Sequence, residues 1–246
     1  MQFGLFLKCP SPEMVEACAL AGHDYCVIDM EHTPLGPRDL LPLRLASAAR
    51  GFEPIVRLPG LQEAYFKWAL DVGFKRIQVP NVSGEADARE AIRLSRFNVG
   101  ETEASRGERG LCRFVRAANF GTTPGADYLT GSNTRVELIL QIEGSEGLKN
   151  VGAILGAVRN VPGVSLFVGP YDLSQSLGIP GEISNPRVTD AMDRIIKEAK
   201  SAGVKVGTFT DTPEGIRRWR AAGVDFLEYA SDLHVFIQAA KALVTQ

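Results

Sequence analysis

Apolar and polar positions along the chain follow two alternating periods. Short apolar, partly β-branched runs, typical of strands buried on both faces, are each followed by a longer segment with a helical spacing of apolar residues. The predicted strands are residues 3–8, 25–29, 54–57, 75–79, 136–142, 164–168, 204–209 and 224–229. The predicted helices are residues 11–20, 38–50, 62–71, 84–97, 147–158, 187–202, 213–222 and 233–244. The pattern predicts eight consecutive β-α units.

Four turns that lead from a helix into a strand have the same form, in which an alanine or valine precedes a glycine. These glycines are Gly22, Gly73, Gly203 and Gly223. Glycine suits the left-handed conformation that commonly follows a helix. The repeated turn indicates one α/β domain over residues 1–246, and eight units in a chain of this length predict a (β/α)8 TIM barrel. The competing fold, an open doubly wound sheet, usually has Gly-x-Gly-x-x-Gly after its first strand, and the sequence lacks it.

Polar residues gather where the predicted strands end, whereas the strand interiors are apolar. In a (β/α)8 barrel the chemistry takes place at the carboxyl-terminal ends of the strands, so this distribution favours an enzyme. The residues at these ends are Lys8, Cys9, Asp29, Glu31, His32, Arg57, Pro80, Asn81, Gln141, Glu143, Gly169, Pro170, Asp172, Thr210, Asp211, Ser231 and Asp232.

Two of these strands each end on one carboxylate. Glu143 follows the strand at 136–142, and Asp172 follows the Gly169-Pro170 turn after the strand at 164–168. Two hard oxygen ligands, with water in the other positions, suit Mg²⁺ or Mn²⁺. The alternative is that both residues are helix N-caps or solvated loop acids.

Composition excludes several other classes of function. The net charge of −2 and a pI near 6.0 give no basis for a nucleic acid or an anionic membrane as a partner. The amino terminus lacks the basic and apolar regions of a signal peptide, and no apolar run is long enough to cross a bilayer. Cys9, Cys18, Cys26 and Cys112 match no zinc-binding spacing. We expect a protein of the reducing cytoplasm.

Three groups of residues together resemble the HpcH/HpaI aldolase family. They are Ile-Asp-Met-Glu-His-Thr-Pro at 28–34; Ile-Val-Arg-Leu-Pro at 55–59 with Leu-Asp-Val-Gly at 70–73; and Gln-Ile-Glu at 141–143 with Gly-Pro-Tyr-Asp-Leu-Ser at 169–174. The resemblance covers nearly the whole chain. It implies a pyruvate/phosphoenolpyruvate-type barrel, in a trimer or hexamer whose last helix is exchanged between subunits. It also implies a class II aldolase that reversibly cleaves a 4-hydroxy-2-oxo acid into pyruvate and an aldehyde.

The resemblance implies a role for five residues in the chemistry. Glu143 and Asp172 match the carboxylates that bind the divalent ion, Mg²⁺ or Mn²⁺, with Co²⁺ and Zn²⁺ as alternatives. Arg57 matches the arginine that contacts the keto oxygen of pyruvate, where a permanent cation would stabilise developing negative charge. His32 and Asp29 match a dyad that helps to activate a metal-bound water as base, and Asp29 is expected to fix the tautomer of His32. Arg57 could instead pair with a structural acid.

Four further residues enter through the same resemblance. Gln141 matches a pocket residue, and Gly169 and Pro170 match the turn whose backbone meets the carboxylate of pyruvate. Asp71 matches an acid that the family brings into the site of a neighbouring subunit. Without the resemblance, Asp71 at a helix end would be read as a solvated surface acid.

The segment 98–135 is too long for a plain connection, and we expect a rim loop or a lid there. Arg113 or Arg116 is expected to help bind an acidic or polyhydroxylated aldehyde, with solvated surface arginines as the alternative. Cys112 stands where the family has glycine. Asp232 is expected to cap the last helix, and His234 to lie on that helix's surface.

Three other functions compete with a metal-dependent aldolase. One is a CoA-ester lyase or a phosphoenolpyruvate-using enzyme on the same type of barrel, although the sequence has no clear nucleotide-binding signature. A second is a Schiff-base aldolase, for which Lys8 is the one lysine at a predicted strand end. The third is a barrel retained as a binding or assembly protein, which would not need Arg57, Glu143 and Asp172 together.

Overall fold

Eight parallel strands close into a barrel in chain order, which confirms the predicted (β/α)8 TIM-barrel fold. The structure is a computed structural model and describes residues 1–100 and 106–245. The strands are β1 (Gln2–Leu7), β2 (Tyr25–Asp29), β3 (Ile55–Arg57), β4 (Arg76–Val79), β5 (Glu137–Ile142), β6 (Val164–Val168), β7 (Lys205–Thr210) and β8 (Phe226–Ser231).

Helices connect the strands on the outside of the barrel. They are α1 (Pro12–Leu20), α2 (Pro37–Ala49), α3 (Glu63–Val72), α4 (Glu85–Ser95), α5 (Gly125–Arg135), α6 (Ser145–Lys149), α7 (Val151–Val158), α8 (Pro170–Ser176), α9 (Pro186–Ser201), α10 (Pro213–Ala222) and α11 (Asp232–Val244). The helix predicted at 147–158 is two helices that meet at Asn150. Helices α5 and α8 were not predicted. Within the described residues no helix has the length and apolarity needed to span a membrane.

Local signals explain the helix boundaries that the pattern did predict. Ser11 caps α1 by accepting a hydrogen bond from the Met14 N–H at 3.2 Å, and Pro12 occupies the first helical position. Gly73 and Gly223 end α3 and α10 in the left-handed conformation, with φ of 106° and 75°. Residues with a side chain avoid this conformation, so these glycines stop each helix and direct the chain into the next strand.

Aromatic rings fill the inside of the barrel where a neighbouring strand has a glycine. The ring of Tyr25 occupies the space that a Cβ on Gly4 would need, and the ring of Phe226 does the same beside Gly207. The other members of this interior cluster are Phe6, Val27, Ile55, Ile139 and Phe167, with Phe209 packed against it. A larger apolar layer lies between the strands and the helices. The interior of the barrel is therefore packed with side chains and is not an open channel.

The described residues of the segment 98–135 do not cover the carboxyl-terminal strand ends, where we expected a rim loop or a lid. Its described residues form a 3-10 turn (Arg116–Gly121) and α5, which leads into β5. Arg116 NH1 donates to the Val72 carbonyl at 3.3 Å, and that carbonyl is at the end of α3, just before β4 begins. This part of the segment therefore packs at the amino-terminal end of the barrel. Residues 101–105 lie outside the described residues.

Candidate active site

A cavity of about 450 Å³ opens at the carboxyl-terminal ends of the strands. Its size suits a small organic substrate. It is lined by Phe6, Lys8, His32, Arg57, Gln141, Glu143, Phe167, Gly169, Pro170, Tyr171, Asp172, Phe209, Asp211, Ala230, Ser231 and His234. Nine site residues were predicted from the sequence, and all but Asp71 were expected at this end of the barrel. Seven of these eight line the cavity. The eighth, Asp29, is buried and hydrogen-bonded to Arg57.

Glu143 is held at the floor of the cavity from two sides. Its Oε1 accepts the Asn81 backbone N–H at 2.8 Å, and its Oε2 accepts a hydrogen bond from Gln141 Nε2. Asn81 presents that N–H from a left-handed conformation with φ of 57°, which asparagine tolerates better than most residues. Burial raises the pKa of Glu143 to about 7, although the hydrogen bonds from Gln141 and Asn81 act in the opposite direction.

Gly169 leaves the room that Glu143 needs. A Cβ on Gly169 would lie 2.6 Å from Glu143 Oε2 and 3.0 Å from Glu143 Cβ. Pro170 then begins α8, a helix of seven residues, so Asp172 lies in a first helical turn and not on a free turn as predicted. Asp172 is exposed, and its carboxylate has no hydrogen-bond partner among the described residues. One buried, oriented carboxylate and one free carboxylate therefore face the same cavity.

Arg57 is fixed by Asp29, which lies on the adjacent strand. Its Nε and NH2 donate to the two oxygens of Asp29 at 2.9 and 2.8 Å, and its guanidinium lies 4.7 Å from the centre of the Phe6 ring. Lys8 Nζ also forms an ion pair with Asp29. Burial alone would raise the pKa of Asp29, but the bonds from Arg57 and Lys8 lower it to about 2. Lys8 is thus a charged partner of Asp29, and this pair would have to break before Lys8 could act as a Schiff-base nucleophile.

The predicted bond from Asp29 to the ring of His32 is wrong. Asp29 accepts the backbone N–H of His32 at 3.3 Å, and its other contacts go to Arg57, Lys8 and the Glu31 N–H. The ring of His32 faces Glu31 instead, with Nε2 at 3.8 Å from Oε2. Arg57 NH1 lies 3.2 Å from the same oxygen. Glu31 therefore takes the place beside the imidazole that we assigned to Asp29.

A β-bulge shapes the cavity wall next to β1. The pairing of β1 with β8 shifts by one residue, so that Leu5 faces Tyr229 and Phe6 faces Ser231. The skipped residue, Ala230, has φ of 37°, an uncommon conformation for alanine, and lines the cavity. Bulges often re-aim side chains next to active sites.

Asp232 does not cap the last helix. The cap of α11 is Ser231, whose hydroxyl accepts the His234 N–H at 3.3 Å. Asp232 is buried and accepts the backbone N–H groups of Lys8 and Cys9 at 2.8 and 2.9 Å. It therefore fixes the chain at the end of β1, which the sequence pattern alone did not indicate.

The outer wall of the cavity contains side chains to which the sequence interpretation gave no role in the site. Tyr171 donates its hydroxyl to Asp211 Oδ2 at 2.5 Å, and its ring lies 5.8 Å from that of Phe209. Burial, with Asp211 beside it, raises the pKa of Tyr171 to about 12, so the phenol stays protonated. His234, expected on the helix surface, lines the cavity although it is exposed. Tyr171 could have been found from its place between Pro170 and Asp172.

A buried polar layer lies beneath the cavity floor and was also missed. Gln78 on β4 donates from Nε2 to Gln141 Oε1 at 2.6 Å and lies 3.4 Å from Glu228 Oε2 on β8. Gln78 and Glu228 are fully buried, and burial raises the pKa of Glu228 to about 8. The available signal was a polar residue flanked by an apolar residue in the middle of each of two buried strands, Gln78 between Ile77 and Val79 and Glu228 after Leu227.

Asp71, Arg113 and Arg116 do not meet the other predicted residues within this chain. Asp71 is at the end of α3 and accepts a hydrogen bond from Arg109 NH2 at 2.8 Å. Arg113 is exposed, and its NH2 lies 3.5 Å from the Gly121 carbonyl. All three lie toward the amino-terminal end of the barrel. Arg113 and Arg116 therefore do not reach the cavity of their own chain, and their part in binding the aldehyde stays a prediction.

The carboxylates present fit a hard divalent cation. Within the described residues no group of three or more His, Cys, Asp or Glu side chains is arranged to hold a metal. Glu143 and Asp172 supply two oxygen ligands at one cavity, and their environment lacks the thiolates that a softer metal prefers. Mg²⁺ usually keeps several waters and binds through one or two carboxylates together with substrate oxygens. The donor set matches that kind of site.

Sequence comparison finds relatives that match nearly the whole chain. The family model for HpcH/HpaI aldolase/citrate lyase matches residues 2–239. Hydroxypyruvate/pyruvate aldolase of Paraburkholderia phytofirmans is 36% identical over 97% of this chain and 90% of its own length. 5-Keto-4-deoxy-D-glucarate aldolase of Shigella dysenteriae is 34% identical over 99% of this chain and 91% of its own length.

Solved structures give the same result. An HpcH/HpaI aldolase/citrate lyase family protein from Burkholderia cenocepacia superposes with a TM-score of 0.92 and 38% identity, over 99% of this chain and 93% of that one. Citrate synthase SbnG superposes with a TM-score of 0.85 and 28% identity, over 99% and 91% of the two chains. The chain belongs to the HpcH/HpaI aldolase/citrate lyase family.

Proposed function

We propose that this protein is a class II pyruvate aldolase, a carbon–carbon lyase that reversibly cleaves a 4-hydroxy-2-oxo acid into pyruvate and an aldehyde. The family and the aldolase names of two relatives support this activity. The observation that carries it is the convergence of Glu143, Asp172 and Arg57 on one cavity at the strand ends. Two oxygen ligands and a fixed cation are the groups that an enolate-forming reaction requires.

Glu143 and Asp172 would hold the divalent cation, for which Mg²⁺ and Mn²⁺ suit the oxygen donors best. When bound, the cation supplies Lewis-acid polarisation of the substrate's keto group. Gln141 and the Asn81 N–H keep Glu143 in one orientation before substrate arrives. Such preorganisation spares the site from rearranging during the reaction.

Arg57 would stabilise the negative charge that grows on the keto oxygen as the carbon–carbon bond breaks. Asp29 occupies Nε and NH2, which holds the guanidinium plane in one direction. NH1 lies 3.2 Å from Glu31 on the cavity side. A substrate oxygen would displace Glu31 and accept a hydrogen bond from NH1. A donor aimed at developing charge contributes more to catalysis in such a partly desolvated site than in water.

His32 would accept the proton of the 4-hydroxyl group. It lies in the cavity wall, and imidazole is the side chain that most often serves as a general base in enzymes. Glu31, with Oε2 at 3.8 Å from Nε2, would orient the ring through its charge. Burial raises the pKa of Glu31, while the neighbouring Arg57 and His32 lower it. The ionisation of Glu31 therefore depends on both neighbours. Gly169 and Pro170 would place the carboxylate of pyruvate against Glu143's side of the cavity.

We also propose that Asp71 acts in an assembly. It lies at the amino-terminal end of its own barrel, so it can reach a cavity only in a second copy of the chain. A trimer or hexamer would supply that copy. An Asp71→Asn variant that keeps its oligomeric state in analytical ultracentrifugation should then lose aldol cleavage. Full activity in that variant would remove Asp71 from the site.

Proton exchange at the methyl group of pyruvate tests the activity without knowledge of the aldehyde. NMR in D₂O should show loss of the methyl signal with Mg²⁺ or Mn²⁺ and no loss with EDTA. The Glu143→Gln and Asp172→Asn variants should lose the exchange while remaining folded. Glu146→Gln, on the exposed surface of α6, is the matched control and should exchange like the wild type. Exchange that is independent of metal would contradict a class II mechanism.

The similarity to a citrate synthase supports a second candidate, a reaction that uses a CoA ester on the same barrel. Formation of a free thiol from acetyl-CoA in the presence of a 2-oxo acid would show it. Proton exchange with pyruvate alone, and no thiol release, would decide for the aldolase.

A further inference from the structure

A continuous chain of buried polar side chains connects the far side of the barrel to Glu143. It begins at Glu228 on β8, passes through Gln78 on β4 and Gln141 on β5, and ends at the Glu143 carboxylate. All four residues are at most 2% exposed. Burial of such a chain inside an apolar barrel costs free energy unless each donor has an acceptor and each acceptor a donor.

The direction of each hydrogen bond in the chain follows from the two carboxyl groups at its ends, Glu143 and Glu228. An ionised Glu143 only accepts, so Gln141 must turn its NH₂ group toward it and its Oε1 toward Gln78. Gln78 must then turn its own NH₂ group toward Gln141, at 2.6 Å, and its second N–H points at Glu228 Oε2, at 3.4 Å. Both donors of Gln78 are used, and its Oε1 needs a donor from elsewhere.

Two oxygens are left over. Gln78 Oε1 and Glu228 Oε1 are buried and have no hydrogen-bond partner among the described residues. They belong to side chains already in contact through the Nε2–Oε2 pair. Two acceptors cannot satisfy each other, but a carboxylic acid has one O–H donor, and an acid and an amide can exchange two hydrogen bonds face to face. One proton on Glu228 would therefore satisfy both oxygens and remove a buried charge.

We propose that Glu228 is protonated in the folded protein and donates its O–H to Gln78 Oε1, in an acid–amide pair that fixes the direction of the Gln78–Gln141 chain. Glu228 is then a positioning residue for Glu143 that acts through two amides. Its role in metal binding rests on the proposed function; its protonation does not.

The surrounding charges are compatible with a neutral acid. Burial raises the pKa of Glu228 to about 8, while Arg57, the Gln78 contact and Arg76 lower it and Asp29 raises it. Arg57 is already neutralised by Asp29, and Arg76 pairs with Glu137 at 2.9 Å. The phenol of Tyr25, which also faces this region, donates to the Leu227 carbonyl and not to Glu228. No cation is therefore committed to Glu228 alone among the described residues.

The test compares two substitutions at one position. In Glu228→Gln the amide replaces the O–H by an N–H of similar size, so the conservative variant should bind Mn²⁺ within about twofold of the wild type. In Glu228→Leu both hydrogen bonds are lost, so Gln78 and Gln141 are no longer held in one direction, and the dissociation constant for Mn²⁺ should rise about tenfold, the scale of one lost hydrogen bond. Gln78→Leu breaks the next link and should give the same rise. Asp190→Asn, on the exposed face of α9, is the unchanged control.

Infrared spectroscopy reads the proton directly. The difference spectrum between the wild type and Glu228→Gln at neutral pH should contain a carboxylic-acid carbonyl band. Absence of the band, or a Glu228→Gln variant that loses Mn²⁺ affinity as strongly as Gln78→Leu, would overturn the proposal. If Glu228→Leu does not fold, the Gln78→Leu variant and the infrared spectrum still decide. A wild type that shows the acid band but binds no metal would refute the proposed function and leave the protonated pair in place.

Discussion

The two oxygens of Asp29 accept Nε and NH2 of Arg57 at 2.9 and 2.8 Å, in a two-point contact between adjacent strands. The contact gives the guanidinium one direction, with NH1 toward the cavity and Glu31. A single ammonium group could supply the charge but not the plane, because lysine has no rigid fork of donors. The direction of the Arg57 guanidinium therefore depends on the register of β2 and β3, which places Asp29 beside Arg57.

Arg57→Lys should keep the positive charge and lose most of the activity. Removal of one well-aimed donor to an oxyanion typically lowers a rate by about 100- to 1,000-fold. We expect a fall of that size in the metal-dependent exchange of pyruvate methyl protons, measured by NMR. Arg76→Lys is the control, since Arg76 is an equally buried strand arginine at the start of β4, away from the cavity. An Arg57→Lys protein that exchanges at the wild-type rate would show that NH1 does not meet the substrate.

The Asp29 ion pairs should make stability depend on pH in the acid range. The folded protein holds the pKa of Asp29 at about 2, below its ordinary 3.8. The carboxylate therefore contributes stability above pH 3.8, about 2 kcal/mol in free energy of unfolding, and this contribution is lost as the pH falls through 2. Urea unfolding of the wild type between pH 4 and 2 should show the loss.

The Asp29→Asn variant should be less stable at neutral pH and should lose less stability between pH 4 and 2. Asp190→Asn, on the exposed face of α9, should follow the wild-type curve. Parallel curves for the wild type and Asp29→Asn would contradict the assignment.

Gly169→Ala should weaken metal binding. The added methyl group would lie 2.6 Å from Glu143 Oε2, so either the backbone of β6 or the Glu143 side chain must move. Overpacking of this kind commonly costs about 1–3 kcal/mol, and a tenfold or greater rise in the Mn²⁺ dissociation constant is expected by isothermal titration calorimetry. Gly144→Ala is the matched control because a Cβ there meets no atom within 4 Å. Equal affinities in the two variants would place the metal away from Glu143.

Metal affinity should fall as the pH falls below neutral. A cation binds the ionised carboxylate, and burial raises the pKa of Glu143 to about 7. Below pH 7 a proton competes for Glu143, so the apparent Mn²⁺ dissociation constant should rise by up to about tenfold per pH unit; above pH 7 it should level off. Electron paramagnetic resonance of free Mn²⁺ between pH 5 and 8 measures this. A flat profile would show that Glu143 is ionised throughout this range.

Much of the fold was accessible from local patterns, because each β-α unit carries its own signals. The buried runs, the capping Ser11 and the glycines after α3 and α10 specify where strands and helices begin and end. Eight such units in one chain leave few arrangements other than a closed barrel. Helix α8 escaped prediction because it has only seven residues, and four of them carry polar side chains, so no helical period of apolar positions is visible.

The positions of Glu143 and Asp172 at strand ends were also accessible, since the ends of parallel strands meet at one rim. The partners of the polar side chains were not. Asp232 fixes β1 instead of capping α11, and Glu31, not Asp29, faces the His32 ring. The Asp232 contacts depend on the register of β1 and β8 and on the bulge at Ala230. Asp29 is not free for the His32 ring because Arg57 on β3 and Lys8 after β1 occupy its carboxylate.

The sequence by itself determined the barrel, the rim at which the polar groups collect and the family's motifs, because periodicity and strand-end position are local properties of the chain. Only the tertiary structure decided which charges meet. It joined Glu228 to Glu143 through Gln78 and Gln141, residues on three strands that are far apart in sequence. The physical reason is that hydrogen bonds and ion pairs depend on separations of about 3 Å, which closure of the barrel sets and a linear pattern does not contain.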